Sequence, residues 1–500
     1  MEYGISYTVA LTGLKARKII VQTHIENTSP YFNIVGLGDK AVSESKERIR
    51  AALSSIGISL PAKRIIVNLA PADLQKEGSH YDLAIIISLL AALKLIPQQE
   101  ASKYIFCAEL ALDASISSVS GILPAAIFAN QLEKGFICSK HNAQEATISG
   151  NNNLICSDFL TEIIKFLKGE KSILPVQNKL AFKKKELSDF SEVKGLESCK
   201  RALEIAAAGR HNVLMIGPPG AGKSMLAERF KSILPELSAA EQLELATIQS
   251  ITGEFNDKEF AIDIPLRSPH HSASLVALTG GGSKVSPGEV TLAHHGILFL
   301  DELPEFKRSS LEALRQPLES KEIHIARAEK TITYPANFQL IAAMNPCKCG
   351  YLQIPEKACN KVPLCAKDYM KKISGPLLER IDLICKIPYQ KTKLFTSDAS
   401  AAESSAQIRN RVSAARMLQK DKLANLNLNY NSELSLKNFE NNQNITASAK
   451  ATLENAIERY LLSNRAALRI LRVAQTIADL AKSEQLKEEH ILEALNYRLH

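Results

Sequence analysis

Two periodicities alternate along the chain. Phe32 to Val35 and Ile65 to Leu69 are short runs enriched in β-branched and aromatic residues, and they read as buried strands. Between them, Ser43 to Leu53 sets Glu44, Glu47 and Arg48 on one side and small or apolar residues on the other, which predicts a helix with a solvent face. Leu83 to Leu95 is almost wholly apolar and predicts a buried helix, too short to span a bilayer. Residues 1–167 are therefore expected to form an α/β domain. Residues 168–189 turn polar and basic, with Lys183, Lys184 and Lys185 in a row. They read as a solvated linker, with a nucleic-acid contact as the alternative. Strand-like runs return over 190–390, at Asn212 to Ile216, Gly296 to Leu300, Phe338 to Ala343 and Leu383 to Ile387, and Lys307 to Leu318 reads as a helix ended by Pro317. After the Ser- and Ala-rich stretch Thr392 to Ser405, residues 391–500 read as helices at Ala406–Lys420, Ala447–Leu462, Ala466–Lys482 and Glu488–Leu499. An Asn-rich loop interrupts them. The fold class is α/β in the first two segments, with a helical C-terminal lid.

Composition narrows this picture only a little. The chain has 500 residues, 45% hydrophobic and 23% charged, which excludes a fibrous or wholly disordered protein and calls for more than one core. A net charge of +8 permits a polyanionic partner without requiring one. Nine cysteines, four close together and five scattered, and an N-terminus without a signal-peptide pattern lead us to expect a reducing, cytoplasmic setting with no disulfide and no membrane segment.

The chemistry concentrates in the middle segment. Gly217-Pro218-Pro219-Gly220-Ala221-Gly222-Lys223-Ser224 follows a predicted strand and opens a helix. Glycines let backbone amides approach phosphate oxygens, Lys223 reaches the β- and γ-phosphates, and Ser224 holds Mg²⁺, so ATP or GTP binding is expected. Asp301 and Glu302 end the strand Gly296 to Leu300: Asp301 as the acidic partner of Ser224 at Mg²⁺, Glu302 as the base that polarises the attacking water. Asn345 closes the apolar strand Phe338 to Ala343 and reads as a sensor of the γ-phosphate, although Asn-Pro is also a turn signal. Arg380, just before a strand, is a candidate finger for nucleotide bound by a neighbouring subunit. Arg465 opens a helix from which it could fold back over the nucleotide; Arg469 shares its face and Arg472 lies near it.

Cys347, Cys349, Cys359 and Cys365 could wrap one tetrahedral Zn²⁺, or could be reduced surface thiols, since their spacing is not that of a standard finger. The doublets His270-His271 and His294-His295 lack an acidic ligand at motif spacing. The glycine-rich stretch at Gly280 to Lys284 suggests a mobile hairpin or a nucleotide-proximal loop, with Lys284 a candidate nucleic-acid contact.

Taken in order, GPPGAGKS, AHHGILFLDELPEF, AAMNPCKCG, SGPLLERIDL and NRAALRILRVAQTIADL, with YFNIVGLGDKAVSESKERIRAAL and IIVNLAPADLQKEGSHYDLA near the N-terminus, resemble the bacterial magnesium-chelatase-like AAA+ proteins known as YifB or ComM. The resemblance covers essentially the whole chain. It implies an N-terminal domain folded like the proteolytic domain of Lon protease. The protease's Ser and Lys fall near Tyr81 and Leu123, which cannot form the dyad; Ser79 and Lys76 are close by without a matching motif, so no peptidase activity is expected. It also implies an AAA+ module of the helix-2-insert type, with His270 to Ser286 near that insert, a finger at Arg380 and a second sensor at Arg465. In the cysteine region Lys361 stands where the family often has a Cys, and Cys365 is displaced.

The function so implied is an ATP-dependent hexameric ring that binds single-stranded and branched duplex DNA and drives branch migration when incoming DNA is recombined. The alternatives are a magnesium-chelatase-like ATPase subunit, a nucleotide-gated DNA-binding scaffold, or a remodeller acting on protein.

Overall fold

The computed structural model describes residues 2–176, 188–255, 263–282, 285–327, 330–352, 358–388, 403–440 and 444–498. Lys183 to Lys185, Lys284 and the stretch 392–402 lie outside the described residues. The chain forms two compact units: residues 1–184 with 239–262, and residues 185–238 with 263–500. The stretch 239–262, which the hydropathy pattern leaves inside the middle segment, thus belongs with the first unit, and the C-terminal helices share a unit with the nucleotide motifs.

The first unit is built on strands β1 (Glu2–Thr12), β2 (Lys15–Glu26), β3 (Tyr31–Val35) and β4 (Arg64–Ala70), with helices α1 (Lys40–Ser55) between β3 and β4 and α2 (Asp82–Ala92) after β4. The sheet order is β1-β2-β4-β3, antiparallel except for the β3–β4 pair. In β2 the residues Ile19, Val21, Thr23 and Ile25 alternate inward, which is how one buried sheet face appears in sequence. Helix α2 is buried along its whole length, as its composition predicts. Gly4 lets β1 press against it, because a Cβ there would stand 2.1 Å from the Ser88 carbonyl oxygen. The expected solvent face of α1 needs correcting at Arg48, which turns inward: Nε and Nη2 bond the fully buried carboxylate of Asp82 at 2.6 and 3.0 Å. A parallel sheet of β5 (Tyr104–Cys107), β6 (Gly135–Ser139) and β7 (Leu154–Ser157), with helix α3 (Ile122–Gln131), completes the unit. Helix Ala239–Thr252 packs here, its Ser250 accepting bonds from the Gly121 and Leu123 amides.

In the second unit, helix α4 (Glu197–Gly209) leads into β8 (Val213–Ile216) and helix α5 (Lys223–Phe230). These are followed by β9 (Leu266–Arg267), β10 (Ile297–Leu300), β11 (Gln339–Met344) and β12 (Leu383–Lys386). The sheet is parallel throughout, in the order β9-β10-β11-β8-β12. Val213, Met215, Ile297, Phe299, Ile341, Ala343 and Leu383 supply its core. The C-terminal helices α6 (Ser405–Leu423), α7 (Ala447–Tyr460), α8 (Asn464–Leu480) and α9 (Glu488–Asn496) join the same core. Two expectations are corrected. Lys307 to Leu318 is two short helices, Arg308–Ala313 and Arg315–Ser320, because Pro317 sits in the first turn of the second, where a missing N–H is harmless. Cys199 of α4 and Cys385 of β12 form a disulfide, which 186 residues of separation conceal in the sequence.

Candidate nucleotide site

A parallel sheet collects loop residues at the carboxyl ends of its strands, and β8, β10 and β11 do this here. The turn after β8 is tied to β11 by the Gly217 amide, which donates to the Met344 carbonyl at 3.2 Å. Gly217 is tight against β12's extension, since a Cβ would meet that of Ile387 at 2.7 Å, and Gly222 caps α5 at φ +84°. Lys223 then points back into the turn. Its ammonium donates to the carbonyls of Gly217 (2.7 Å) and Pro218 (2.9 Å) and to Asn345 Oδ1 (3.1 Å). Burial lowers the Lys223 pKa, against the pull of Asp301 and Glu302 in the opposite direction.

Ser224 Oγ donates to Asp301 Oδ2 at 2.8 Å, and Asp301 Oδ1 accepts the Glu302 amide at 2.8 Å. A hydroxyl and a carboxylate side by side are hard oxygen donors of the kind Mg²⁺ prefers, and the glycine cradle has room for phosphate, so the residues fit Mg²⁺ and ATP. Glu302 lies at φ +50°, and its Oε2 stands 3.3 Å from His271 Nδ1. The structure thus brings together Gly217 to Ser224 (including Pro218, Pro219, Gly220 and Ala221), Asp301, Glu302 and Asn345. His271 is the neighbour that motif reading missed.

Arg380 and Arg465 stand elsewhere. The Arg380 carbonyl accepts Asn212 Nδ2 at 2.9 Å, and Asn212 precedes β8, so Arg380 is anchored at the amino-terminal edge of the sheet. Its guanidinium donates to the Pro376 carbonyl at 2.6 Å and pairs with Glu319, while its buried Nε has no hydrogen-bond partner among the described residues. Arg465 pairs with Glu379 at 3.0 Å, beside Arg380. The expectation that Arg465 folds back over its own chain's nucleotide is therefore corrected: it lies at the opposite edge. A cavity of about 660 Å³ there is lined by Arg210, Lys321, Arg380, Arg465, Arg469 and Arg472 among others. Arg469 lies 3.7 Å from Asp382 Oδ1, and burial lowers its pKa to about 10. Burial tends to raise the Asp382 carboxyl, but His211, whose Nδ1 lies 3.7 Å away, the Arg469 charge and the bond from the Asn212 amide hold it below the ordinary range. An acid two residues past the finger, opening an apolar strand, was the signal available for this group.

Cys347 and Cys349 have sulfurs 3.0 Å apart, Cys349 also meets Cys359, and Cys365 meets both Cys359 and Cys347. Among the described residues, these sulfurs do not form a group of three or more ligand atoms all within 4.8 Å of one another, as a bound zinc would need.

A phosphate loop on an interior strand of a five-stranded parallel sheet, an acid pair two strands away, a polar residue on the strand between and a helical C-terminal region define an ATPase of the AAA+ class. Family models described as magnesium chelatase, subunit ChlI, match residues 189–394; as subunit ChlI of Mg-chelatase, 21–142; and as its C-terminal part, 402–498. Competence protein ComM of Haemophilus influenzae is 40% identical over 505 residues, covering 100% of this chain and 98% of the relative. YifB of Escherichia coli is 41% identical over 498 residues, covering 100% and 97%. The magnesium-chelatase 38 kDa subunit of Rhodobacter capsulatus is 29% identical over 31% of this chain and half of its own length. The chain belongs to the YifB/ComM family of magnesium-chelatase-related AAA+ proteins, and it is an ATP-hydrolysing enzyme that binds ATP and Mg²⁺. Among the described residues, no helix is long and apolar enough to cross a membrane.

Proposed function

We propose that the chain is a DNA motor in which ATP hydrolysis, at a cleft completed by a second copy, drives translocation and branch migration during recombination of incoming DNA. One observation carries this reading. The phosphate loop and Arg380 occupy opposite ends of the same sheet, so a single copy lacks a finger at its own nucleotide. Copies arranged head to tail bring the two edges together, and closure of such contacts gives a ring, proposed here as a hexamer. The name of the Haemophilus relative, a competence protein, supports DNA as the substrate.

When bound, ATP with Mg²⁺ supplies the phosphoanhydride and spreads the charge that develops on its cleavage. Lys223 would hold the β- and γ-phosphate charge, and Ser224 and Asp301 would hold the metal. Glu302 takes the proton of the attacking water, and Asn345 orients that water. Arg380 and Arg465 reach in from the neighbouring copy, Arg465 coupling phosphate loss to movement of the helical region. The first unit fits a Lon-protease-like domain without peptidase function: Tyr81 and Leu123 are buried, Ser79 donates to Glu109, and Lys76 donates to the Pro71 carbonyl. The segment His270 to Ser286 corresponds to the helix-2 insert region. The thiol contacts among Cys347, Cys349, Cys359 and Cys365 support a structural Zn²⁺ only if the sulfurs draw closer on binding it.

The test is ATP turnover and strand displacement on single-stranded, forked and four-way DNA, with Glu302→Gln as the inactive control. Turnover stimulated by DNA and migration of the junction are expected. A rate indifferent to every nucleic acid, with no strand moved, refutes the reading.

A further inference from the structure

Only Arg210, His211 and Asn212 separate helix α4 from strand β8, which carries the phosphate loop. A junction this short lies against the sheet, and its polar groups need partners there. Asn212 uses every polar atom it has. Its amide donates to Asp382 Oδ2 at 3.1 Å and its Nδ2 to the Arg380 carbonyl at 2.9 Å. Its own carbonyl accepts the Asp382 and Leu383 amides, both at 3.0 Å, and its Oδ1 accepts the Leu340 amide at 2.9 Å. Leu340 belongs to β11, the strand that leads to Asn345. One side chain therefore ties together the root of the loop strand, the root of the strand before Asn345, and the backbone on either side of Ile381.

The same junction reaches the C-terminal helices. His211 Nε2 lies 2.8 Å from Thr476 Oγ1 on α8, and the His211 carbonyl accepts Gln339 Nε2 at 2.6 Å. Buried Asp382, held by the Asn212 amide, has Arg469 of α8 3.7 Å away, and Arg465 stands one turn earlier on that helix. Arg498 adds a bond to the Ile381 carbonyl. The tip of Arg380 is held in another way. Its guanidinium meets Glu319, which is 63% exposed, so that pair is exchangeable. The root of the finger is fixed while its tip is free to change partner, and a group that must meet phosphate at a defined place needs both.

We propose that Asn212 is a positioning residue for the finger: it fixes the backbone of Arg380 to the strand that carries the copy's own phosphate loop. The finger offered to the next copy is then in register with the sheet that binds nucleotide. This rests on the reading that Arg380 completes a neighbour's cleft, and the experiment separates the two. The full chain is compared with Asn212→Ala and with Asn212→Asp, which keeps the volume and the Oδ1 acceptor but loses the donor to the Arg380 carbonyl. Thermal melts establish which variants are folded, and Asn212→Asp carries the test if Asn212→Ala is not.

The kcat for ATP should fall roughly ten- to a hundred-fold, the cost of a misplacement of about 1 Å, with KM little changed because the loop is intact. Hydrogen exchange should quicken over residues 376–384. The substitution is then placed on either member of a mixture of Lys223→Ala, which supplies fingers, and Arg380→Ala, which supplies loops. On the finger-supplying chain it should lower the recovered turnover by the same factor; on the loop-supplying chain it should leave it unchanged. Equal losses on both chains, a raised KM with kcat kept, or unchanged exchange over 376–384 overturns the proposal. If the mixture without the substitution recovers nothing, the shared-cleft reading fails, while kcat, KM and hydrogen exchange of Asn212→Ala or Asn212→Asp still decide whether Asn212 fixes Arg380.

Discussion

Arg380 cannot serve the phosphate loop of its own chain, and the distance involved can be worked out from the strands. Its carbonyl is bonded to Asn212, and the loop begins at Gly217. Five residues of strand at about 3.3 Å each separate these points by about 16 Å. An extended arginine side chain spans only about 7 Å. Arg380→Ala should therefore lose hydrolysis on the order of 10³- to 10⁵-fold, as arginine-finger removal does elsewhere, while retaining ATP on its intact loop. Lys223→Ala should lose activity through the other half of the cleft. Mixing the two variants in equal amounts creates interfaces in which an intact loop meets an intact finger. With random assembly these are about a quarter of the total, whatever the ring size, because each interface draws one half from each neighbour. Steady-state ATP turnover of the mixture should rise toward that fraction of the parent rate. No recovery above the separate variants, in mixed assemblies verified by mass spectrometry of tagged copies, refutes the trans arrangement.

Three further outcomes are expected. Arg48→Ala strands the fully buried Asp82 carboxylate without its guanidinium, and urea unfolding should report a loss of about 3–5 kcal/mol from the first unit. Asp382 is held below its ordinary pKa, so its stabilisation is complete above about pH 4 and is lost as pH falls through its folded value; Asp382→Asn should flatten the acid limb of the melting profile. Elemental analysis of protein prepared without chelator decides the cysteine question, with about one zinc per chain expected for a thiolate site and less than about 0.1 ruling it out.

The parts of the site that depend on local sequence could be read directly from it. A glycine loop between a strand and a helix, and acids at a strand's end, follow from backbone geometry within a few residues, and Gly217 to Ser224, Asp301, Glu302 and Asn345 meet in one place. What escaped reading depends on long-range contact. Helical spacing gives Arg48 a solvent face, and only the arrival of Asp82 from α2 turns it inward. Arg465 has the spacing of a residue that folds over nucleotide, but which edge of the sheet it meets depends on how α8 packs, and Glu379 captures it. His271 carries no motif, because its partner lies 31 positions away on another strand.

The helix Ala239–Thr252 carries a last consequence. It is encoded between the phosphate-loop helix and β9, yet it buries Leu245, Ala246 and Ile248 in the unit that begins at the N-terminus. The polypeptide therefore leaves one body, enters the other and returns before finishing. A truncation that starts after residue 184 would retain this helix with its greasy side stripped of cover, and insolubility of such a fragment would say nothing about the soundness of the ATPase itself.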